Sequence, residues 1–209
     1  MNSIPALEYP DYLTKLSVIK THVLIAVFFQ AAMAIVYVWI AVLLYPILNK
    51  YNKDLATGYF AFRIIGAGFL FAGIGSLLLL LWLSQSFASA DQINSSYFQT
   101  TGELLRQGRD ILNHIGMILP WSIGGLILYY CFFRMKLIPQ WLSIWGGIGS
   151  AFTLLSTLLL MLTIIEMATP IYFIMNTPTA LLELVLATFL IFKGFNPVDV
   201  ISHENRSVK

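Results

Sequence analysis

Charge is what this sequence is shortest of. Only 11% of its 209 residues are Asp, Glu, Lys or Arg, while 58% are hydrophobic. A soluble domain carries about 25% charged and about 45–50% apolar residues. So little charge cannot cover a water-facing surface, which excludes a soluble globular fold and makes the lipid bilayer the main partner of the surface. Excess basic charge is also missing. The net charge is +2 and its Lys and Arg residues are dispersed, so no nucleic acid is expected as a partner. Cysteine is nearly absent: Cys131 stands alone, so no intrachain disulfide can form, and its place in the apolar run Leu126 to Phe133 accounts for it by packing. No basic cluster followed by an apolar core precedes Thr14, so no signal peptide is expected and targeting falls to the first membrane helix.

What is present is long hydrophobic runs. A membrane-spanning helix needs about 20 mainly apolar residues, and five stretches qualify. Helix A is expected from about Leu16 to Leu48, helix B from Asp54 to Phe87 and helix C from Thr101 to Phe133. Helix D is expected from Ile138 to Ile165 and helix E from Pro178 to Phe195. The fold class is therefore all-α, a polytopic membrane bundle of five spans forming a single membrane domain over residues 1–209. The first turns of helix A, around Lys20 and His22, are placed in the interface. Pro139 suits the first turn of helix D, and Thr177-Pro178 reads as the cap and first residue of helix E. Ala168 to Asn176, broken by Pro170, is expected along the interface. Pro120 should kink helix C, because it removes the bond to Gly116 and crowds that carbonyl.

Orientation follows from Lys and Arg. One side carries Lys50, Lys53, Arg63, Arg134, Lys136, Lys193, Arg206 and Lys209, and the other carries Lys15, Lys20, Arg106 and Arg109. The richer side should be cytoplasmic, which puts the C-terminus inside and the N-terminus outside. An outside N-terminus without a signal peptide hints at a preceding helix missing from this chain or at a moved start codon.

Several strings recur in a fixed order. They are Leu44-Tyr45-Pro46-Ile47-Leu48, Ala56-Thr57-Gly58-Tyr59-Phe60-Ala61-Phe62-Arg63-Ile64-Ile65 and Arg109-Asp110. Lys136-Leu137-Ile138-Pro139-Gln140-Trp141-Leu142-Ser143 and Ile191-Phe192-Lys193-Gly194-Phe195-Asn196-Pro197 follow. Together they resemble a bacterial membrane family known as domain of unknown function 4386, over roughly Tyr9 to Pro197. The resemblance implies a bacterial multi-pass protein of the inner (plasma) membrane; it implies no activity and carries over no functional residue. Family members usually have one more helix ahead of helix A. They often carry a glutamate after Arg-Ile-Ile, where this chain has Gly66.

Ionisable groups in a bilayer are costly and point to function. Glu103, Arg106, Asp110 and His114 are spaced three, four and four apart and line one face of the outer turns of helix C, flanked by Arg109 and Asn113. Glu166 ends helix D on the same side, and Glu183 lies near the outer start of helix E in an otherwise apolar stretch. These groups can form an outward-facing polar cluster that binds an ion, proton or small polar ligand. They can equally form interfacial ion pairs, Arg106 with Asp110 or Glu103 and Arg109 with Glu183, of the kind worth little energetically. Asp110, His114 and Glu183 are a thin set for a metal, without a His-Glu-x-x-His pattern, so none is assigned. Arg63 can snorkel to the cytoplasmic interface or form an ion pair inside the bundle. Gln30 can hydrogen-bond across helices, and the faces Gly68–Ala72–Ser76 and Gly146–Ser150, with Gly147 and Gly149 beside the second, permit close helix approach. Trp82, Tyr97, Trp141 and Tyr172 fit interfacial belts.

Three function classes remain: a membrane protein binding a small ligand, lipid or partner; a small-solute or proton-coupled transporter; and a membrane enzyme using Asp110, His114 and Glu183. The first ranks highest, because there is no inverted repeat and no catalytic pattern. The sequence names no cofactor and leaves a homo-oligomer or a membrane-protein partner open.

Overall fold

The structure is a computed structural model describing residues 4–89, 95–167 and 169–196. Pro197 and the tail with Arg206 and Lys209, and the loop residues 90–94, lie outside them. A 3-10 turn, Pro5–Glu8, precedes a short helix α1, Tyr12–Val18. Next come α2 (Lys20–Asn49), α3 (Lys53–Ser89) and α4 (Ser95–Ile111). A π-helical turn, Leu112–Met117, joins α4 to α5 (Ile118–Met135); α6 (Gln140–Met161) and α7 (Pro170–Lys193) complete the fold. Five helices are long and apolar enough to cross a membrane: Lys20–Asn49, Lys53–Ser89, Ser96–Met135, Gln140–Met161 and Pro170–Lys193. The chain is a polytopic all-α membrane bundle.

Two compact units divide it, 1–44 with 60–121 and 45–59 with 122–209. The first unit holds an apolar core that begins at the chain's start. Ile4, Leu7, Tyr12, Leu13 and Leu16 pack with Val23 of α2 and with Leu77, Leu80, Leu81 and Leu83 of α3. Helix α1 is separated from α2 by a break at Ile19, so the expected single helix A begins as two pieces. Its buried residues Tyr12, Leu13 and Leu16 share one stripe, while Thr14 and Val18 point away.

In the second unit, the turn after α2 is closed by Asn52, whose side-chain oxygen accepts the Leu55 N–H at 2.9 Å and caps α3. Lys136 takes a left-handed φ of 53° after α5, and the Leu137 N–H reaches back to the Phe132 carbonyl at 3.2 Å. That six-to-one bond is a Schellman ending with lysine where glycine is usual. Asn196 then clasps the same turn. Its backbone N–H bonds the Leu137 carbonyl at 2.8 Å and its side-chain amide the Lys136 carbonyl at 2.9 Å. Phe195 meets Phe132 edge-on at 5.7 Å.

Several expectations need correction. Helix D stops at Met161 rather than Ile165, because Thr163 turns left-handed (φ 54°) and the Ile164 N–H bonds the Leu159 carbonyl at 3.0 Å. Helix E starts eight residues earlier than expected, at Pro170. Its cap is Thr169, whose side chain accepts from the Tyr172 N–H at 3.4 Å, and Pro178 sits inside the helix. Thr-Pro occurs twice, and the first pair is the start. At the second, the helix runs through Pro178, and Thr177 donates its hydroxyl to the Phe173 carbonyl at 2.7 Å. Tyr172 is buried and belongs to no interfacial belt, whereas Trp82, Tyr97 and Trp141 are exposed.

The small-residue faces are half as expected. A side chain at Gly146 would run into the Tyr129 ring, and one at Gly149 would come within 2.9 Å of the Thr179 hydroxyl. A side chain at Gly68 meets nothing within 4 Å. The close face of α3 is Gly66 and Gly73, a different stripe. Overpacking costs about 1–3 kcal/mol. Gly146→Leu should therefore lower the unfolding midpoint in detergent by several degrees, while Gly68→Leu and Gly147→Leu melt with the parent protein.

Candidate functional site

The polar residues of the first unit gather where α4 gives way to α5. Pro120 offers no N–H to the Gly116 carbonyl and its ring crowds that oxygen. Immediately upstream, over Leu112–Met117, the helix widens to the π register. The turn holds Asn113 and His114. Such turns are frequent at functional sites.

Helix α3 is shaped to receive it. At Gly73 a Cβ would overlap the Asn113 carboxamide, and at Gly66 one would lie 3.2 Å from the Met117 carbonyl oxygen. From the other side, a Cβ at Gly116 would lie 2.6 Å from the Phe69 ring. A side chain at Gly66 would fit only if the Met117 carbonyl gave way by a few tenths of an ångström. Gln30 of α2 bridges to the turn as expected, its Nε2 donating to Asn113 Oδ1 at 3.3 Å. Ser76 of α3 donates its hydroxyl to the Leu105 carbonyl at 2.8 Å, pinning α4 one turn higher.

Helix α4 carries the charges. Its buried stripe runs through Gly102 and Arg109, with Phe98 and Leu105 half-buried on the same side. Glu103 and Arg106 form a two-pronged pair, Nε to Oε2 at 2.9 Å and Nη2 to Oε1 at 2.6 Å, and Gln107 adds a donor to Oε1 at 2.8 Å. Arg109 is 9% exposed and bonds Asp110 Oδ1 at 2.9 Å. The Tyr12 phenol donates to the Gln99 carbonyl at 3.4 Å and crowds the face of Gly102, where a Cβ would lie 2.6 Å from it. Burial pushes that phenol above its ordinary range, helped by the neighbouring Glu103 carboxylate.

Glu103, Arg106, Arg109, Asp110 and His114 thus all lie in the first unit, joined there by Gln30 and Asn113. Glu183 and Glu166 belong to the second. Glu183 is half-buried on the stripe of α7 that carries Tyr172, Asn176 and Thr179. Glu166 is not a helix end; it is exposed in the connection before α7, where its carbonyl accepts the Thr169 hydroxyl at 2.9 Å. Among the described residues no three His, Cys, Asp or Glu side chains gather as metal ligands would.

Sequence reasoning missed three features. Arg63 does not snorkel: it is buried at 9% exposure, its guanidinium 4.8 Å above the Trp121 ring, with Tyr37 against the same indole at 6.4 Å. Gly66 and Gly73, seven apart and so on one helix face, were the available signal for the α3 stripe. In the second unit, α6 presents a buried hydroxyl face of Ser143, Ser150, Thr153 and Thr157, in which Thr153 and Thr179 share a 2.9 Å hydroxyl bond. Its three- and four-residue spacing was legible but was read only through its glycines.

A family model described as "Domain of unknown function (DUF4386)" matches residues 4–194. The chain belongs to that family. No curated protein and no solved structure matches it.

The fit of Gly73 to Asn113 has a measurable consequence. Gly73→Ala should destabilise the protein by about 1–3 kcal/mol, and the loss should shrink when Asn113→Ala is already present. A double-mutant cycle of detergent unfolding measures that coupling; two additive losses would show that the carboxamide does not occupy the space over Gly73.

Proposed function

We propose that this member of the family is a bacterial inner-membrane protein that holds a small polar solute at the junction of α4, the π-turn and α5. The observation that carries the reading is the π-turn itself, with Asn113 and His114 in it and glycines facing it. Stability alone does not call for this arrangement. Replacing both partners of a buried hydrogen bond with apolar groups of the same shape is often neutral or stabilising. A bundle selected only to fold could place leucine at Gln30 and Asn113. Instead it keeps an amide pair, an Arg109–Asp110 pair and His114 within about a turn and a half of helix.

The arrangement favours binding over catalysis. The nearby Ser76 hydroxyl is committed to the Leu105 carbonyl at 2.8 Å, so it is not poised as a nucleophile beside a base. The Lys and Arg asymmetry supports an orientation with the α3–α4 connection outside and the C-terminus in the cytoplasm. The solute then arrives from outside, past the Glu103–Arg106 pair.

Two measurements test this. Cysteine labelling from outside intact cells should modify Ser95→Cys and spare Ser202→Cys; the reverse pattern overturns the orientation. In detergent, a small polar solute that binds the folded state should raise the unfolding midpoint, the gain in stability being about 2.7 kcal/mol at a hundredfold excess over its Kd. Arg109→Gln should remove that shift while the protein still melts cooperatively. A solute-induced shift that survives both Arg109→Gln and His114→Ala would place binding elsewhere.

A further inference from the structure

We infer that the junction selects solutes of zero net charge that present a hydrogen-bond donor and acceptor side by side, as a primary carboxamide does. The inference rests on the binding proposed above and names its ligand class.

The first observation is the balance of charge. The ionised side chains along α4 and the π-turn are Glu103, Arg106, Arg109 and Asp110. They close into two neutral pairs, Arg106–Glu103 at 2.6 Å and Arg109–Asp110 at 2.9 Å. The charges of these four side chains sum to zero. Arg109 is well buried, and in such surroundings an unmatched charge is expensive. An anion would have to pull Arg109 from Asp110, and a cation the reverse. A neutral solute disturbs neither pair.

The second observation is the amide pair. The 3.3 Å bond from Gln30 to Asn113 is the one hydrogen bond that either side chain makes among the described residues. An amide has two donors and a carbonyl with two lone pairs. Gln30 Oε1 therefore remains as an acceptor, and the Asn113 amino group remains as a donor. Exchanging O and N in both amides leaves the same two functions with the residues swapped. Gln30 is 9% exposed and Asn113 half-buried, and neither open group is wholly shut off from the surface, so a small solute can reach both. A carboxamide meets both needs from adjacent atoms: its N–H for the open carbonyl and its C=O for the open amino group.

Acetamide, acetate and acetamidinium have nearly the same shape and differ in charge, so they separate the terms. The experiment is thermal unfolding of the full chain in detergent with each probe at matched ionic strength. Acetamide should raise the midpoint with a saturable dependence, and acetate and acetamidinium should not. The double variant Gln30→Leu with Asn113→Leu should melt cooperatively and lose the acetamide shift. Gln30→Glu, which keeps the size and adds a negative charge, should lose acetamide and gain acetamidinium; this reading stands even where the double variant fails to fold. Equal shifts by all three probes, or an acetamide shift that survives in both variants, overturn the inference. A shift by a charged solute alone, removed by Arg109→Gln, overturns the inference and leaves the binding site standing. No shift with any solute overturns both.

Discussion

Lipid cannot hydrogen-bond, so every polar group carried into a bilayer needs a partner within the protein. Nearly every feature of this molecule follows from that constraint. The surface hydroxyls answer it locally: Thr57, Thr177 and Thr188 each donate to the carbonyl four residues back, at 2.9, 2.7 and 2.8 Å. Such bonds need no neighbouring helix, so those residues can face outward. The amides answer it across elements, Gln30 with Asn113 at 3.3 Å and Asn176 with Ser156 at 3.0 Å. Those bonds fix which helix faces meet.

Close approach is the second consequence. Association in lipid has no hydrophobic driving force between helices, so it depends on packing and interhelical hydrogen bonds. Glycine supplies the packing only where a neighbour fills the vacated space. Gly146 admits the Tyr129 ring, Gly149 the Thr179 side chain and Gly73 the Asn113 carboxamide, whereas Gly68, Gly75 and Gly147 have nothing within 4 Å. Small residues in an apolar helix are therefore weak indicators of a contact one at a time. Which glycine is used depends on a side chain in another element, and that information is not local.

The same distinction explains what could be read from the sequence. The five spans were legible because hydrophobic length is a property of each segment alone. So was the polar face of α4, since three- and four-residue spacing fixes a helix face before any partner is known. The start of α7 was not, because Thr169-Pro170 and Thr177-Pro178 carry the same local signal. Proline inside a membrane helix is tolerated when side chains or neighbouring helices satisfy what it leaves open, so Pro178 could not be told from a helix start. Arg63 was misread for a related reason. A guanidinium near a helix end can reach water, or it can lie over an aromatic face. Only Trp121, far away in sequence, decides between them.

The strings that carry the resemblance divide along this line too. Those around Lys136 and Asn196 are explained by the second unit's architecture. A lysine in a left-handed turn leaves two carbonyls, Lys136 and Leu137, facing the chain's far end, and Asn196 bonds both. Alanine at that place would keep the backbone bond and lose the side-chain one, so asparagine has a structural reason to stand there. The string through Arg63 is explained in part, by burial over Trp121. Arg109-Asp110 has a weaker structural justification. Adjacent residues on a helix do not face one another well, and a pair worth having for stability alone would stand three or four residues apart, as Glu103 and Arg106 do. Arg109 is nonetheless the more deeply buried of the two arginines. The proposed solute site rests on that cation, drawn into the protein four residues before the Gln30–Asn113 amide pair.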